Sequence, residues 1–305
     1  MADVPSVAVD IAPVHSLVAR VMEGVGEPEL VIPPGASPHE YNLKPSEARA
    51  LQEAEIVFWL GEDLTPWLAS AIETLSEGAA VTELLDGEGT VLFEFRESAL
   101  FEGHEDDDHH EHGHEEKEHS HGDHAEGAHD GHDHGEHDPH AWLSPDNAAV
   151  WLNVIAAQLS AADPENAGTY FANAADGREE IATLKSEVSD ILDPVRGKHF
   201  IVFHDAYQYF EVAFDFPASG AISLSDASDP GPARITEIQG RVRTDGINCV
   251  LTEPQFNPGM VRIVMDGTDA ATGIVDPIGS GLDLGPAMYH QLLKNLASVL
   301  ADCLE

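Results

Sequence analysis

The chain of 305 residues has few basic residues and no long apolar run, and each absence excludes a class of protein. Fourteen lysines and arginines stand against 56 aspartates and glutamates, which gives a formal net charge of −42. A chain this acidic is repelled by nucleic acids and by anionic membrane surfaces, so nucleic-acid binding is excluded. No apolar stretch approaches the ~20 residues that a transmembrane helix requires.

Cysteine is also scarce, and the two that occur, Cys249 and Cys303, have neither Cys-x-x-Cys nor zinc-finger spacing. Cys249 lies in an apolar, strand-like run and Cys303 in the last predicted helix. A disulfide between them, which an oxidising compartment would favour, and two buried free thiols both suit these positions. From the residues alone, both alternatives stay open.

The first residues, 1–5, lack the basic and apolar regions of a signal peptide. Two interpretations follow from this absence. The chain is either a cytoplasmic protein or the mature form of an exported one.

An acidic, histidine-rich tract occupies residues 102–138. It contains 15 acidic residues, one lysine and 12 of the 18 histidines. Almost none of its side chains can enter a core, so burial cannot offset the entropy lost on ordering, and we expect a mobile, solvated loop. Neutral imidazole binds metals, and histidine-rich tracts are typical of metal-binding segments. The tract therefore predicts a flexible metal-binding arm.

Outside the tract, strand and helix patterns alternate at short spacing, which predicts βαβ units and parallel sheets. Apolar positions at three- and four-residue steps predict one long helix from about 164 to 192, roughly 40 Å in length. We therefore predict an α/β fold of two (β/α)4-like lobes with parallel sheets, joined by one long rigid linker helix. The predicted parts are an N-terminal lobe over 1–162, the linker over 163–195 and a C-terminal lobe over 196–305.

Three histidines outside the tract share a context. His39 follows a strand and a short loop, His140 lies in a proline-bounded loop before a helix, and His204 follows the strand predicted at 200–203. Asp276, at the end of a strand predicted at 273–276, is a fourth such position. Ligands bind beyond the carboxyl ends of parallel strands, and three imidazoles with a carboxylate or a water suit Zn²⁺. We therefore predict that the three histidines bind zinc, with Asp276 or water as the fourth ligand.

Five segments of the chain carry recognisable motifs, namely Pro-His-Glu-Tyr-Asn-Leu-Lys-Pro-Ser at 38–46, Asp-Pro-His-Ala-Trp-Leu-Ser-Pro at 138–145, Phe-His-Asp-Ala-Tyr at 203–207, Leu-Thr-Glu-Pro-Gln-Phe at 251–256 and Asp-Pro-Ile-Gly at 276–279. In this order they resemble the signature segments of the ZnuA-type (cluster A-I) solute-binding proteins of metal ABC transporters. The resemblance covers essentially the whole chain, and the acidic histidine-rich loop before the second histidine is typical of the zinc members.

The resemblance implies a periplasmic zinc-binding protein that delivers Zn²⁺ to a membrane permease. It implies two lobes on a rigid linker helix with the metal between them, a monomer, periplasmic metallochaperones as further partners and a mature form without its signal peptide. His39, His140 and His204 match the ligand positions. Asp276 matches an aspartate that ligates in manganese and some zinc members, whereas others use water or a glutamate before the first histidine. Pro38 occupies that preceding position, which favours Asp276 or water.

The resemblance also implies a disulfide between Cys249 and Cys303, because some members carry one at matching positions. The implied activity is binding and not catalysis, with the loop collecting Zn²⁺ and passing it to the buried site. A metal buffer or storage protein and a manganese-specific solute-binding protein are the alternatives. A zinc hydrolase is a further rival, but no His-Glu-x-x-His motif or paired general base is evident.

Overall fold

The computed structural model describes residues 4–96, 137–223, 231–254 and 258–305. Its helices and strands, in chain order, are β1 Val7–Val9, α1 Ala12–Val21, β2 Glu29–Leu30, α2 Pro45–Glu53, β3 Ile56–Trp59, α3 Pro66–Leu75, β4 Ala80–Glu83, α4 Pro145–Ala162, α5 Ala167–Leu192, β5 His199–His204, α6 Gln208–Phe214, β6 Ala221–Ser223, α7 Pro232–Thr244, β7 Ile247–Thr252, α8 Pro258–Met265, β8 Ala271–Ile274 and α9 Met288–Leu304. The tract predicted to be mobile, 102–138, lies outside the described residues except for its last two.

The strands form two four-stranded sheets, in which all pairs are parallel. The strand orders are β2-β1-β3-β4 and β6-β5-β7-β8. The predicted α/β fold of two parallel lobes joined by one long helix, α5, is confirmed. Two details differ from the prediction, since β6 was not anticipated and β8 ends at Ile274, two residues before Asp276. The exact limits of the lobes stay a prediction.

Both faces of the central strands are buried, because each sheet has helices on both sides. In β1, Val7 and Val9 point into a core that contains residues of both lobes, whereas Ala8 faces the outer helices of the N-terminal lobe. In β5, Val202 joins the shared core and Ile201 packs with α7 and α8 on the outer side. Continuous packing between the lobes therefore determines how their strand ends meet.

The long helix α5 packs along α4 and also contacts α1 and α9. Gly177, inside α5, weakens the sequence prediction of a continuous helix, because glycine is a poor helix former. A Cβ at this position would lie 3.0 Å from Leu152 Cδ1 and 3.4 Å from Arg20 Cγ. Gly177 therefore allows the close approach of α5 to α4 and α1.

Cys249 of β7 and Cys303 of α9 form a disulfide, with their Cα atoms 5.6 Å apart. This confirms the pairing that the family resemblance implies, and it ties the last helix to the sheet of the C-terminal lobe. Among the described residues, none of the helices combines the length and the apolar character that a membrane crossing requires.

Candidate metal centre

His39 lies in the connection between β2 and α2, and it is half-buried. The backbone of this connection is fixed from the neighbouring helix α3, where the indole N–H of Trp67 donates to the carbonyl oxygen of Pro38 at 2.8 Å. Pro45 then occupies the first turn of α2, where a missing N–H costs nothing. The loop therefore presents His39 at the carboxyl end of the N-terminal sheet.

His140 immediately precedes the 3-10 turn Ala141–Leu143, which leads into α4. Both its backbone N–H and its ring bond to Asp138 Oδ1, with the amide nitrogen at 3.0 Å and Nδ1 at 2.7 Å. Asp138 and His140 are both buried. Since the carboxylate accepts the Nδ1 proton, Nε2 carries the lone pair. Nε2 of His140 is buried and has no hydrogen-bond partner within the described part of the chain.

His204 is the last residue of β5 and is buried. Its Nδ1 atom lies 2.6 Å from Oε1 of Glu253, which directly follows β7 and whose side chain is fully buried. A carboxylate on Nδ1 fixes the tautomer and orients the ring, so that a metal would be bound through Nε2. Two of the three predicted ligands are therefore oriented by carboxylates, an arrangement common in zinc sites.

The structure brings the three predicted histidines together. One possible ligand atom from each of His39, His140 and His204 lies within 4.8 Å of the others, and among the described residues no other such group of three or more is found. The ring centroids are 5.4 Å apart for His39 and His140, and 5.3 Å for His140 and His204. Since Zn–N bonds measure ~2.0–2.1 Å, modest ring rotations would place all three nitrogens on one ion. The N-terminal lobe contributes two rings and the C-terminal lobe the third.

Asp276 does not join this group. It lies in the loop after β8, and its carboxylate accepts hydrogen bonds from within that loop. Oδ1 accepts from the amides of Ile278 at 3.0 Å and Gly279 at 2.9 Å, and Oδ2 accepts from the amide of Ser280 at 2.7 Å and from its hydroxyl. A small cavity of about 20 Å³ separates Asp276 from the loop at 35–38 that precedes His39.

Trp142 forms one wall of the site, with its ring centroid 5.2 Å from that of His140. Its indole N–H donates to the carbonyl oxygen of Pro277 at 2.8 Å, which links the N-terminal lobe to the loop that carries Asp276. Tyr289 on α9 donates its hydroxyl proton to the carbonyl oxygen of Trp142 at 2.8 Å. Trp142 is therefore held from two directions by the C-terminal lobe.

The described chain ends on either side of residues 97–136 meet beside the site. Glu94 and His137 form an antiparallel bridge, and the amide of Asp138 donates to the carbonyl oxygen of Phe93 at 2.8 Å. Tyr209 on α6 joins both ends, because its hydroxyl donates to the carbonyl of Asp138 at 2.8 Å and accepts from the amide of Phe93 at 3.0 Å. These contacts lie next to Asp138, the carboxylate that orients His140.

The sequence did not identify Glu253 as the partner of His204, and it did not identify a second charged group near the site, Arg96. Its guanidinium donates to the carboxylates of Asp205 and Glu211, and all three side chains are largely buried. Burial raises the pKa of Asp205 to about 6, against the lowering effect of Arg96. The adjacency of Asp205 to His204 was the one signal in the sequence, but nothing there identified Arg96 as its partner.

Comparison with known proteins identifies the family. The family model for ZnuA, zinc-uptake complex component A, periplasmic, matches residues 7–303. The chain is 46% identical over 307 residues to the high-affinity zinc uptake system protein ZnuA of Brucella abortus (strain 2308), covering 98% of this chain and 91% of that protein. It is 44% identical over 314 residues to ZnuA of Paracoccus denitrificans, covering 99% and 93%.

Solved structures share the fold. A crystal structure of ZnuA superposes with a TM-score of 0.77 at 20% identity, covering 99% of this chain and 100% of that one. A zinc-bound ZnuA deletion mutant gives a TM-score of 0.76 at 20% identity, with 99% coverage of both chains. The chain belongs to the family of the periplasmic zinc-uptake complex component A, whose members are solute-binding proteins and not enzymes.

Proposed function

We propose that this protein binds Zn²⁺ between its two lobes through His39, His140 and His204 and delivers the ion to the membrane permease of a zinc ABC transporter. The observation that carries the proposal is the convergence of these three imidazoles, separated by up to 165 positions in the chain, within 4.8 Å. The names of the Brucella and Paracoccus relatives, both zinc uptake proteins, support zinc as the ion.

The donor set favours zinc over manganese. Imidazole nitrogens suit Zn²⁺, whereas Mn²⁺ prefers carboxylate and other oxygen ligands. Asp276 is the predicted oxygen ligand, but four hydrogen bonds within its own loop hold its carboxylate. We therefore assign the fourth position to water.

The acidic tract would assist in collecting the ion. Its histidines and carboxylates hold Zn²⁺ through labile contacts and raise the local concentration of zinc near the buried site. The bridge between Glu94 and His137 brings together described residues from before and after residues 97–136, next to Asp138 and two residues from His140. Zinc would then pass from many weak ligands to three preorganised ones. Periplasmic metallochaperones are proposed as further zinc donors, and the protein is proposed to act as a monomer.

Zinc titration of the full chain tests the proposal. The wild type should contain one tight site that competes with a chromophoric chelator, together with weaker sites in the tract. His39→Ala, His140→Ala and His204→Ala should each abolish the tight site. Deletion of residues 103–137 should remove the weak sites and leave the tight one.

The same variants discriminate against a metal buffer or storage protein. If the tract were the main binding device, its deletion would remove nearly all zinc affinity, whereas His39→Ala and His204→Ala would change little. That result would contradict the proposed function. Transfer to the permease is tested by zinc-dependent growth of cells in which each variant replaces the wild type.

A further inference from the structure

The proposed site lies between two lobes, so its geometry depends on how the lobes are held together next to the ligands. His39 and His140 come from the N-terminal lobe, whereas His204 comes from the C-terminal lobe. Zn–N bonds of ~2.0–2.1 Å leave little tolerance for displacement of one lobe. A group that ties the lobes together beside His204 would therefore influence zinc affinity without touching the ion.

Arg96 is in that position. It lies on the segment 91–96, which belongs to the N-terminal lobe, because the amide of Val91 donates to Oδ1 of Asn147 on α4 at 2.8 Å and Nδ2 of Asn147 donates to the carbonyl of Val91 at 3.0 Å. From this segment the guanidinium reaches across to two carboxylates of the C-terminal lobe. One is Asp205, adjacent to His204, and the other is Glu211 on α6.

The contact is multidentate and largely removed from water. Arg96 Nε lies 2.9 Å from Asp205 Oδ2, and both terminal nitrogens lie 2.9 Å from oxygens of Glu211. The side chains of Asp205 and Glu211 are 7% and 4% exposed, and that of Arg96 is 18% exposed. Glu211 is also fixed from within its lobe, where its Oε2 accepts from the amide of Ala218 at 3.0 Å. A buried, bidentate guanidinium–carboxylate contact is directional and holds both partners in one geometry.

We infer that Arg96 is a positioning residue of the zinc site. Through Asp205 and Glu211 it fixes the end of β5 and the start of α6 against the N-terminal lobe, and so holds His204 in register with His39 and His140 before the ion arrives. This inference rests on the proposed function, because it assigns Arg96 a part in the affinity of the three-histidine site.

The test compares the zinc dissociation constant and the dissociation rate of the full-length wild type with those of Arg96→Gln. Groups that orient metal ligands typically change affinity by about 10–100-fold when removed. We expect Arg96→Gln to weaken zinc binding by this amount, mainly through faster dissociation. The visible absorption of the Co²⁺-loaded protein should change as well, because it reports ligand geometry.

Arg196→Gln is the matched control. Arg196 anchors the opposite end of α6, where it donates to the carbonyl oxygens of Phe214 at 3.1 Å and Asp215 at 2.9 Å. These contacts lie within the C-terminal lobe and do not connect it to the N-terminal lobe. We expect this variant to lower the urea midpoint while the zinc affinity and the Co²⁺ spectrum stay at wild-type values. An Arg96→Gln variant that behaves in the same way would show a purely structural role and overturn the inference.

Arg96→Lys provides the second variant should Arg96→Gln fail to fold. Lysine keeps the charge but cannot span both carboxylates with a rigid planar group, so we expect an intermediate loss of zinc affinity. Wild-type affinity in Arg96→Lys together with an unfolded Arg96→Gln would also overturn the inference. The proposed function fails by a different result, namely a wild type without a tight site or one whose tight site survives His39→Ala.

Discussion

Glu253 Oε1 lies 2.6 Å from His204 Nδ1, and the pairing of β5 with β7 places these two residues side by side. The two strands run parallel, and Val202 pairs with Leu251. Two residues further along each chain segment, the same register brings His204, the last residue of β5, next to Glu253, the residue after β7, although 49 positions separate them in sequence. The strand register therefore supplies the carboxylate that orients a predicted zinc ligand.

Removal of the Glu253 charge should weaken zinc binding without changing the ligands. We expect Glu253→Gln to reduce zinc affinity about 10–100-fold. The neutral amide oxygen of glutamine accepts the Nδ1 proton of His204 more weakly than the carboxylate does, so the ring is oriented less firmly and is a weaker ligand. Competition with a chromophoric chelator measures the loss. Glu237→Gln, which removes a partly exposed partner of Arg234 on α7, serves as the control and should leave the affinity unchanged. Equal affinity in both variants would show that Glu253 does not act on the site.

The three histidines could be predicted from sequence because each one follows a strand or precedes a helix in a recognisable local motif. Asp138 also lay in such a motif, but its contact with His140 depends on the local turn. Glu253 and Arg96 could not be assigned, because their contacts depend on strand register and on packing between the lobes. Local patterns thus identify candidate ligands, whereas the groups that orient them require the tertiary structure.

Asp276 provides a test of the fourth position. We expect Asp276→Asn to retain zinc affinity to within about fivefold, since the hydrogen bonds of the carboxylate go to its own loop, asparagine keeps one acceptor oxygen, and loss of one hydrogen bond is worth about 1 kcal/mol. X-ray absorption at the zinc edge should show three imidazole nitrogens and one light ligand in both proteins. A loss of affinity comparable to that of His39→Ala, together with a changed edge spectrum, would make Asp276 a ligand.

The fold class was predicted correctly, but one edge strand and the end of another strand were not. Strand β6, Ala221–Ser223, has three residues and follows a glycine, so its apolar pattern is too short to distinguish from a loop. It becomes a strand because β5 offers it an unpaired edge, with Val202 opposite Ala221. The predicted end of β8 at Asp276 was wrong, because the apolar run continues to Val275 although the strand ends at Ile274. The apolar pattern alone does not show where the strand stops.

The Cys249–Cys303 disulfide should contribute mainly to stability. The two cysteines are 54 positions apart, and closing a loop of this length restricts the unfolded chain. We expect the Cys249→Ala/Cys303→Ala double variant to lose roughly 2–4 kcal/mol of unfolding free energy in urea denaturation of the zinc-free protein. Reductant should destabilise the wild type by a similar amount and leave the double variant unaffected. A wild type that is indifferent to reductant would contradict this assignment.

His15 should make the zinc-free protein less stable in acid. The ring is buried, and its Nε2–H donates to the carbonyl oxygen of Pro28 at 3.0 Å. Burial lowers the pKa of His15 from its usual value of 6.5. As the pH falls through 6.5, the unfolded chain therefore takes up a proton at this position while the folded protein does not, and stability is lost as the pH falls further.

His15→Gln should remove this part of the acid sensitivity, because glutamine can still donate to Pro28 but does not titrate. Relative to the wild type, the variant should be less stable at pH 8, where it loses packing, and should recover part of that difference at pH 5. Each unit by which the pKa is lowered corresponds to about 1.4 kcal/mol of recovered difference. Urea unfolding at both pH values measures this difference in stability, with His199→Gln as a control at an exposed histidine.

Since the comparison is between folded and unfolded states of the same zinc-free chain, titration of the three site histidines cancels between variants. A constant difference between His15→Gln and wild type across this range would therefore show that the ring of His15 is protonated to the same extent in both states.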